Sequence, residues 1–406
     1  MIVVIGAGAA GFMAALQAAR AGQPVTLFER TADGGRKILI SGGGRCNVLP
    51  SELGERRFVT DSSRHTLAKI LRSWPLAEQR EFFEQSLNVP LALESDTGKL
   101  FPVSNKAREV RDALLFATRQ AGATIRFGTV VTAVTPTPHG WSVGLADGPS
   151  CPADRVILAT GGLSVPATGS DGFGLAVARQ LGHEIHPTYP ALTPLVAEPP
   201  VHAGLAGVSL EVTLRGLDDH GREVATTGGF LFTHRGYSGP TVLDLSHLAV
   251  RSRLAGGPLA KIRAQWAGHG REAWDEILRA QGRHAVAAVV RRELPARLAE
   301  RLLAEAAIPA DRTLAQLGKD ARRVLVGLLT DYELPWTGDE GYKKAEVTGG
   351  GVALSEVNPE TLESRRCPGL FFCGEMLDAF GPIGGYNFAW AWATGRAAAL
   401  GAAASR

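Results

Sequence analysis

The opening residues constrain this chain more than any other stretch. Ile2-Val3-Val4-Ile5 is an apolar run of strand length, and Gly6-Ala7-Gly8-Ala9-Ala10-Gly11 follows it as GxGxxG. An Ala-rich helix is expected from about Ala9 to Ala21, stopped by Gly22, and Val25-Thr26-Leu27-Phe28 reads as a second strand. In this setting the first glycine makes the turn. The second lets backbone approach a pyrophosphate, and the third lets helix and strand pack closely. The helix N-terminus then offers unpaired N–H groups to phosphate charge. Glu29 closes the second strand, with Arg30 beside it, where a carboxylate can accept hydrogen bonds from ribose hydroxyls. The expectation is a dinucleotide site on an α/β, Rossmann-like domain.

The fingerprint does not separate NAD from FAD; three other segments favour FAD. Arg36, Lys37, Ser41, Gly42, Gly43, Gly44, Arg45, Cys46 and Asn47 form a loop rich in backbone N–H groups with three cations, able to wrap a long anionic ligand. A strand-like run over 155–159 ends in Ala159, Thr160 and Gly161, small residues against which a cofactor can lie. Near the C-terminus, Gly374-Glu375 follows a strand-like run, and Gly384-Gly385-Tyr386-Asn387 opens the last helix. An acid there can hold ribityl hydroxyls, and the helix dipole favours an anionic reduced ring. Val131, in the strand-like run 129–134, and Asp378 complete the candidate cofactor contacts.

Apolar residues make up 45% of the 406, enough for a large core, and nothing suggests a disordered tail. Four prolines at 187, 190, 194 and 199 mark an expected domain boundary. A helix is expected over 105–121, capped by Ser104, and further helices over 273–329. Residues 149–153 and 251–270 match no element. The four cysteines, Cys46, Cys151, Cys367 and Cys373, show no metal spacing, so no metal is expected. The strand begins at Ile2, leaving no room for a signal peptide, and no apolar run reaches membrane length; a soluble, reducing, cytoplasmic protein is expected. Net charge is only +3, but residues 251–330 carry 15 basic and 8 acidic side chains, a local +7. Such a segment is either a solvated helical surface or a patch for a polyanion.

Four long strings, GGRKILISGGGRCN (34–47), ATGGLSVPATGSDGFGLAVARQLGH (159–183), FTHRGYSGP (232–240) and CGEMLDAFGPIGGYNFAWAWATG (373–395), make the chain resemble the BaiN/RdsA-type flavoproteins over nearly its whole length. The resemblance implies a discontinuous FAD domain of the glutathione-reductase style at 1–189 and 346–406. It also implies an inserted, β-barrel-like domain at 190–345, β-rich over 190–255 and 331–345 with a helical excursion over 270–330.

Only one nucleotide fingerprint is present, so NAD(P)H is expected as a transient electron donor. Cys367 and Cys373 lack disulfide-reductase spacing. Reduction of an activated C=C bond needs a hydride and a protein acid to protonate the neighbouring carbon. Cys46, where nearby cations would favour thiolate, is one candidate. His234, Arg235, Tyr237 and Ser238, between close-approach glycines 236 and 239, are others; turn and capping roles compete. The resemblance implies three activities: reducing uridine in large-subunit ribosomal RNA to dihydrouridine, reducing bile-acid C=C bonds, or oxidising aminoacetone. The basic segment, with Trp266, Trp274 and Trp336 in or near it as possible base-stacking platforms, tilts the reading to ribosomal RNA as partner. A small-molecule substrate and a non-catalytic flavin-containing RNA-binding protein are the alternatives.

Overall fold

A computed structural model describes residues 1–280 and 282–404. They divide into two compact units, Met1–Pro190 with Glu346–Arg406, and Ala191–Ala345.

The first unit is built on β1 (Ile2–Ile5), buried along its whole length. Strands covered on both faces read as continuous apolar runs, and β-branched Ile and Val suit them. β1 pairs in parallel with β2 (Val25–Phe28) on one side and with Arg155–Leu158 on the other, Ile2 lying opposite Val25 and Arg155. Thr124–Arg126 extends the sheet beyond β2, and Leu370–Phe372 extends it beyond Arg155–Leu158, all in parallel. N- and C-terminal segments thus share one five-stranded sheet. Helix α1 (Ala9–Arg20) lies against the closing helix Tyr386–Ala404. A Cβ on Gly395 would fall 2.5 Å from the Ala10 carbonyl oxygen, so only glycine permits that crossing. Around this core sit two three-stranded antiparallel sheets and the pair Ile185–Ala191 with Val347–Val352.

The second unit holds a seven-stranded sheet dominated by the long hairpin Ser209–Leu217 and Glu223–Phe232. Its edge strands, Tyr332–Glu333 and Gly338–Asp339, are joined by residues 334–337 alone, which curls the sheet towards a barrel. Helices Arg271–Arg279, Val286–Val290, Ala296–Glu305 and Lys319–Thr330 form the helical excursion.

Several local expectations need correction. Pro187 and Pro190 lie inside the strand Ile185–Ala191; a two-stranded sheet is all edge, where a missing N–H is tolerated. The helix expected from Asn105 starts at Ala107, because Asn105 takes φ +54°, and the Ser104 hydroxyl only accepts from the Lys106 N–H. The stretch read as β-rich contains the helix Pro240–Leu254, with proline in its first turn. The unassigned stretches hold the strands Cys151–Ala153 and Arg263–Gln265.

Candidate functional site

At the end of β1 the three fingerprint glycines have three separate reasons. Gly6 takes φ +101°, and a Cβ there would meet the Ala159 carbonyl oxygen at 2.6 Å. A Cβ on Gly11 would fall 1.7 Å from the Gly6 carbonyl oxygen. A Cβ on Gly8 would meet nothing within 4 Å: it opens on free space. No side chain caps α1, so the first-turn N–H groups of Ala9, Ala10 and Gly11 have no intrahelical partner. An open space over uncapped N–H groups fits a pyrophosphate.

Glu29 is buried, and three donors fix its carboxylate. Oε2 accepts from the Ala7 N–H, and Oε1 from the Thr31 N–H and hydroxyl, each at 2.7 Å. A carboxylate has about four acceptor sites, so about one is left for a ligand hydroxyl. The Thr129 N–H donates to the Glu29 carbonyl at 2.8 Å, bringing the strand that starts at Val131 alongside. Arg30 pairs with Asp171, and Arg36 with Asp33 at 2.7 Å.

The loop 34–47 owes its shape to left-handed residues. Gly34, Gly35, Gly42, Gly43, Gly44 and Cys46 all have positive φ. The Gly35 N–H donates to the Ala7 carbonyl at 2.7 Å, tying loop to fingerprint. Ser41 accepts the Cys46 N–H on its carbonyl at 3.0 Å, and its hydroxyl donates to the Ile38 carbonyl at 2.9 Å. Arg45 pairs with Glu94 at 2.9 Å and lies over the Phe101 ring. The thiolate expectation for Cys46 is reversed. The side chain is 0% exposed, and burial pushes the thiol up to about 12, only partly offset by a hydrogen bond with Ser41. Asn47 Oδ1 is buried without a hydrogen-bond partner, an acceptor waiting for a donor the chain does not supply.

At the C-terminal end, Gly374 (φ +74°) donates its N–H to Thr394 Oγ1 at 2.9 Å. Glu375 receives Lys37 Nζ on Oε2 at 2.6 Å, and on Oε1 the Ser164 hydroxyl at 2.5 Å and the Thr348 N–H at 3.0 Å. Like Glu29, it keeps about one acceptor site free. Ser164 and Thr348 went unrecognised in the sequence, since an isolated Ser and Thr carry no motif. Gly161 (φ +73°) follows Ala159 and Thr160 beside this carboxylate, where a Cβ would lie 4.0 Å from Glu375 Oε2.

The remaining C-terminal candidates spend their side chains inside the chain. Asp378 is buried, and its Oδ2 accepts from the Asp61 and Ser62 N–H groups and the Thr60 and Ser62 hydroxyls, at 2.8–3.0 Å. Burial nonetheless raises its pKa. Asn387 clasps Gly381, accepting its N–H and donating to its carbonyl, both at 2.9 Å. Tyr386 lies under Arg57. Gly384 and Gly385 take φ near +100°, and a Cβ on Gly385 would strike the Leu49 backbone at 2.4 Å. What these residues offer a ligand is backbone.

In the second unit, His234 and Arg235 are exposed, Ser238 is half-buried, and Arg235 faces Glu198 at 3.4 Å. Tyr237 does not fit the expected substrate acid. It is 0% exposed, its hydroxyl is 2.8 Å from His202 Nδ1, and burial raises its pKa. His202 Nε2 is in turn 3.0 Å from the Tyr332 hydroxyl, which donates to Glu305. Trp266, Trp274 and Trp336 all belong to the core of this unit and offer no stacking platform. Much of the +7 segment is neutralised by acids beyond its ends: Arg251 by Asp219, Arg253 by Asp339, Arg263 by Asp331. Among the described residues, no cluster of three or more metal-ligating side chains is found, and no helix is long and apolar enough to cross a membrane.

Comparison with known proteins agrees with this geometry. The family model described as the HI0933-like protein Rossmann domain matches residues 1–401. The ribosomal RNA dihydrouridine synthase of Escherichia coli (strain K12) is 33% identical over 401 residues, 98% of this chain and 96% of that protein. The 3-dehydro-bile acid delta(4,6)-reductase of Clostridium scindens is 34% identical over 416 residues, covering 99% of this chain and 98% of its own. Among solved structures, 3-ketosteroid delta1-dehydrogenase from Sterolibacterium denitrificans superposes with TM-score 0.53 at 14% identity, covering 100% of this chain and 99% of that one, a likeness of fold. The chain belongs to the HI0933-like protein Rossmann-domain family of FAD-dependent oxidoreductases.

Proposed function

We propose that this chain uses FAD and NAD(P)H to reduce a conjugated C=C bond, with uridine in large-subunit ribosomal RNA, converted to dihydrouridine, as the substrate. The observation that carries the cofactor assignment is the pair of pre-oriented acids in the first unit. Glu29 and Glu375 are each held by three protein donors and each keep about one acceptor site. A dinucleotide with a ribose at one end and a ribityl chain at the other matches two such acids. Gly8 leaves the pyrophosphate its approach, and Asn47 Oδ1 supplies an unused acceptor.

Within that site, the α1 N-terminus would hold the pyrophosphate, with Arg30 and Arg36 at its flank once drawn from Asp171 and Asp33. The backbone of Gly43, Gly44, Gly161, Gly384 and Gly385 would lie against the ring system and its chain. Bound there, FAD supplies hydride transfer. The net reaction consumes NAD(P)H, one proton and the C=C bond, and yields NAD(P)⁺ and the saturated product. His234, Arg235 and Ser238 are the groups we assign to the substrate carbonyl and to the proton. A cytoplasmic location accords with that substrate.

The ribosomal RNA assignment rests on the relative named for that reaction. A second reading, reduction of a small enone, is favoured by an equally similar relative named for a bile acid and by the ion pairs that neutralise the basic segment. The test is a dihydrouridine map of ribosomal RNA from a strain lacking the gene. Loss of one dihydrouridine, restored by the native chain, is expected. An unchanged map removes the RNA substrate and leaves the enone reading.

A further inference from the structure

Lys37, Ser164 and Glu375 form a closed ring of hydrogen bonds. Lys37 Nζ donates to Ser164 Oγ and to Glu375 Oε2, both at 2.6 Å, while Ser164 Oγ donates to Glu375 Oε1 at 2.5 Å. The three residues come from α2 (Arg36–Ile40), the segment after the strand Arg155–Leu158, and the turn after Leu370–Phe372. Ser164 is fully buried, whereas the Lys37 and Glu375 side chains keep 23% and 17% exposure, so one edge of the ring is open.

The open edge has a definite valence. An ammonium has three donors, and two are spent inside the ring. A carboxylate has about four acceptor sites, and three are spent, counting the Thr348 N–H. One donor and one acceptor are left side by side. A hydroxyl, which both donates and accepts, matches that pair. A phosphate does not, because it only accepts and its charge would face the Glu375 carboxylate.

We propose that this ring reads a hydroxyl of the flavin's ribityl chain, contacted by Lys37 and Glu375 together and oriented by Ser164 as a positioning residue. Lys37 is then not a phosphate ligand, although it stands among the cations of the glycine loop. This rests on the FAD reading above.

The test titrates the apoprotein with FAD and, separately, with ADP, which keeps ribose and pyrophosphate but lacks the ribityl chain. Lys37→Met and Glu375→Gln should each weaken FAD binding by about tenfold or more, the worth of a charge-assisted hydrogen bond, and leave ADP binding unchanged. The double variant should bind FAD little worse than either single one, because both act on one hydroxyl. Ser164→Ala, which alters no charge, should weaken FAD in the same direction, and thermal melts of the apoproteins check that each variant folds. If Lys37→Met weakens ADP as much as FAD, Lys37 is a phosphate ligand and the inference fails. If the native chain binds FAD and Lys37→Met binds it equally well, this inference alone fails. If the native chain binds ADP but no FAD, the proposed function fails with it.

Discussion

The Cβ that Gly11 lacks would lie 1.7 Å from the carbonyl oxygen of Gly6, inside the van der Waals radius of an atom that cannot move without unpairing β1. Gly8, three residues earlier, has open space on the same side chain vector. Two alanine substitutions in one motif should therefore fail in different ways. Gly11→Ala should destabilise the first unit by about 3 kcal/mol, the upper end for an overpacked core, and lower the melting temperature of the apoprotein. Gly8→Ala, with φ −82° compatible with alanine, should leave the melt unchanged and lower flavin content. Thermal melts and flavin content of both variants check this.

Glu29 serves the fold before it serves a ligand. Glu29→Ala leaves the Ala7 N–H and the Thr31 donors without their acceptor, at a cost of about 1–3 kcal/mol for a buried group. The apoprotein melt should fall, and FAD uptake should fall further than in Glu29→Gln, which keeps one oxygen for those donors. Denaturant unfolding and fluorescence titration measure the two effects.

Cys46 should be inert. With its thiol raised from an ordinary value near 9 to about 12, it stays protonated at neutral pH. Brief alkylation of the folded chain at pH 8 should label the partly exposed Cys151 and Cys367 and spare Cys46 and Cys373, as mass spectrometry of the peptides would show. The same shift contributes stability in full below about pH 9. That contribution falls as pH rises towards 12, because the unfolded chain releases the proton first.

His247 gives the opposite pH dependence in the second unit. Burial lowers its pKa from 6.5 to about 4, overcoming the carbonyl of Asp244 on its ring. The unfolded chain takes up a proton between pH 6.5 and 4 that the folded chain refuses, so stability is lost as pH falls through that window. His247→Gln should flatten this acid slope in chemical denaturation measured from pH 7 to 4.

What could be read in the sequence is what acts locally. The fingerprint, β1, α1, β2 and the closing helix each carry their period or their glycines within a few neighbouring residues. The helix Pro240–Leu254 was missed because residues 245–250 are buried without interruption, which erases the amphipathic signal. Ser164 and Thr348 were missed because their role comes from partners more than 180 positions away. The charge of residues 251–330 misled for the same reason: Asp219, Asp331 and Asp339, which neutralise it, lie outside the segment. Cys46 misled because a count of neighbouring cations says nothing about burial, the larger effect on its thiol.

Whether the two pre-oriented acids of the first unit enclose one flavin is tested most directly by reconstitution. The purified chain, stripped and then incubated with FAD, should take it up stoichiometrically, turn yellow, and lose that affinity in Glu29→Ala and Glu375→Gln. A folded native chain that stays colourless after incubation with FAD would contradict the assignment.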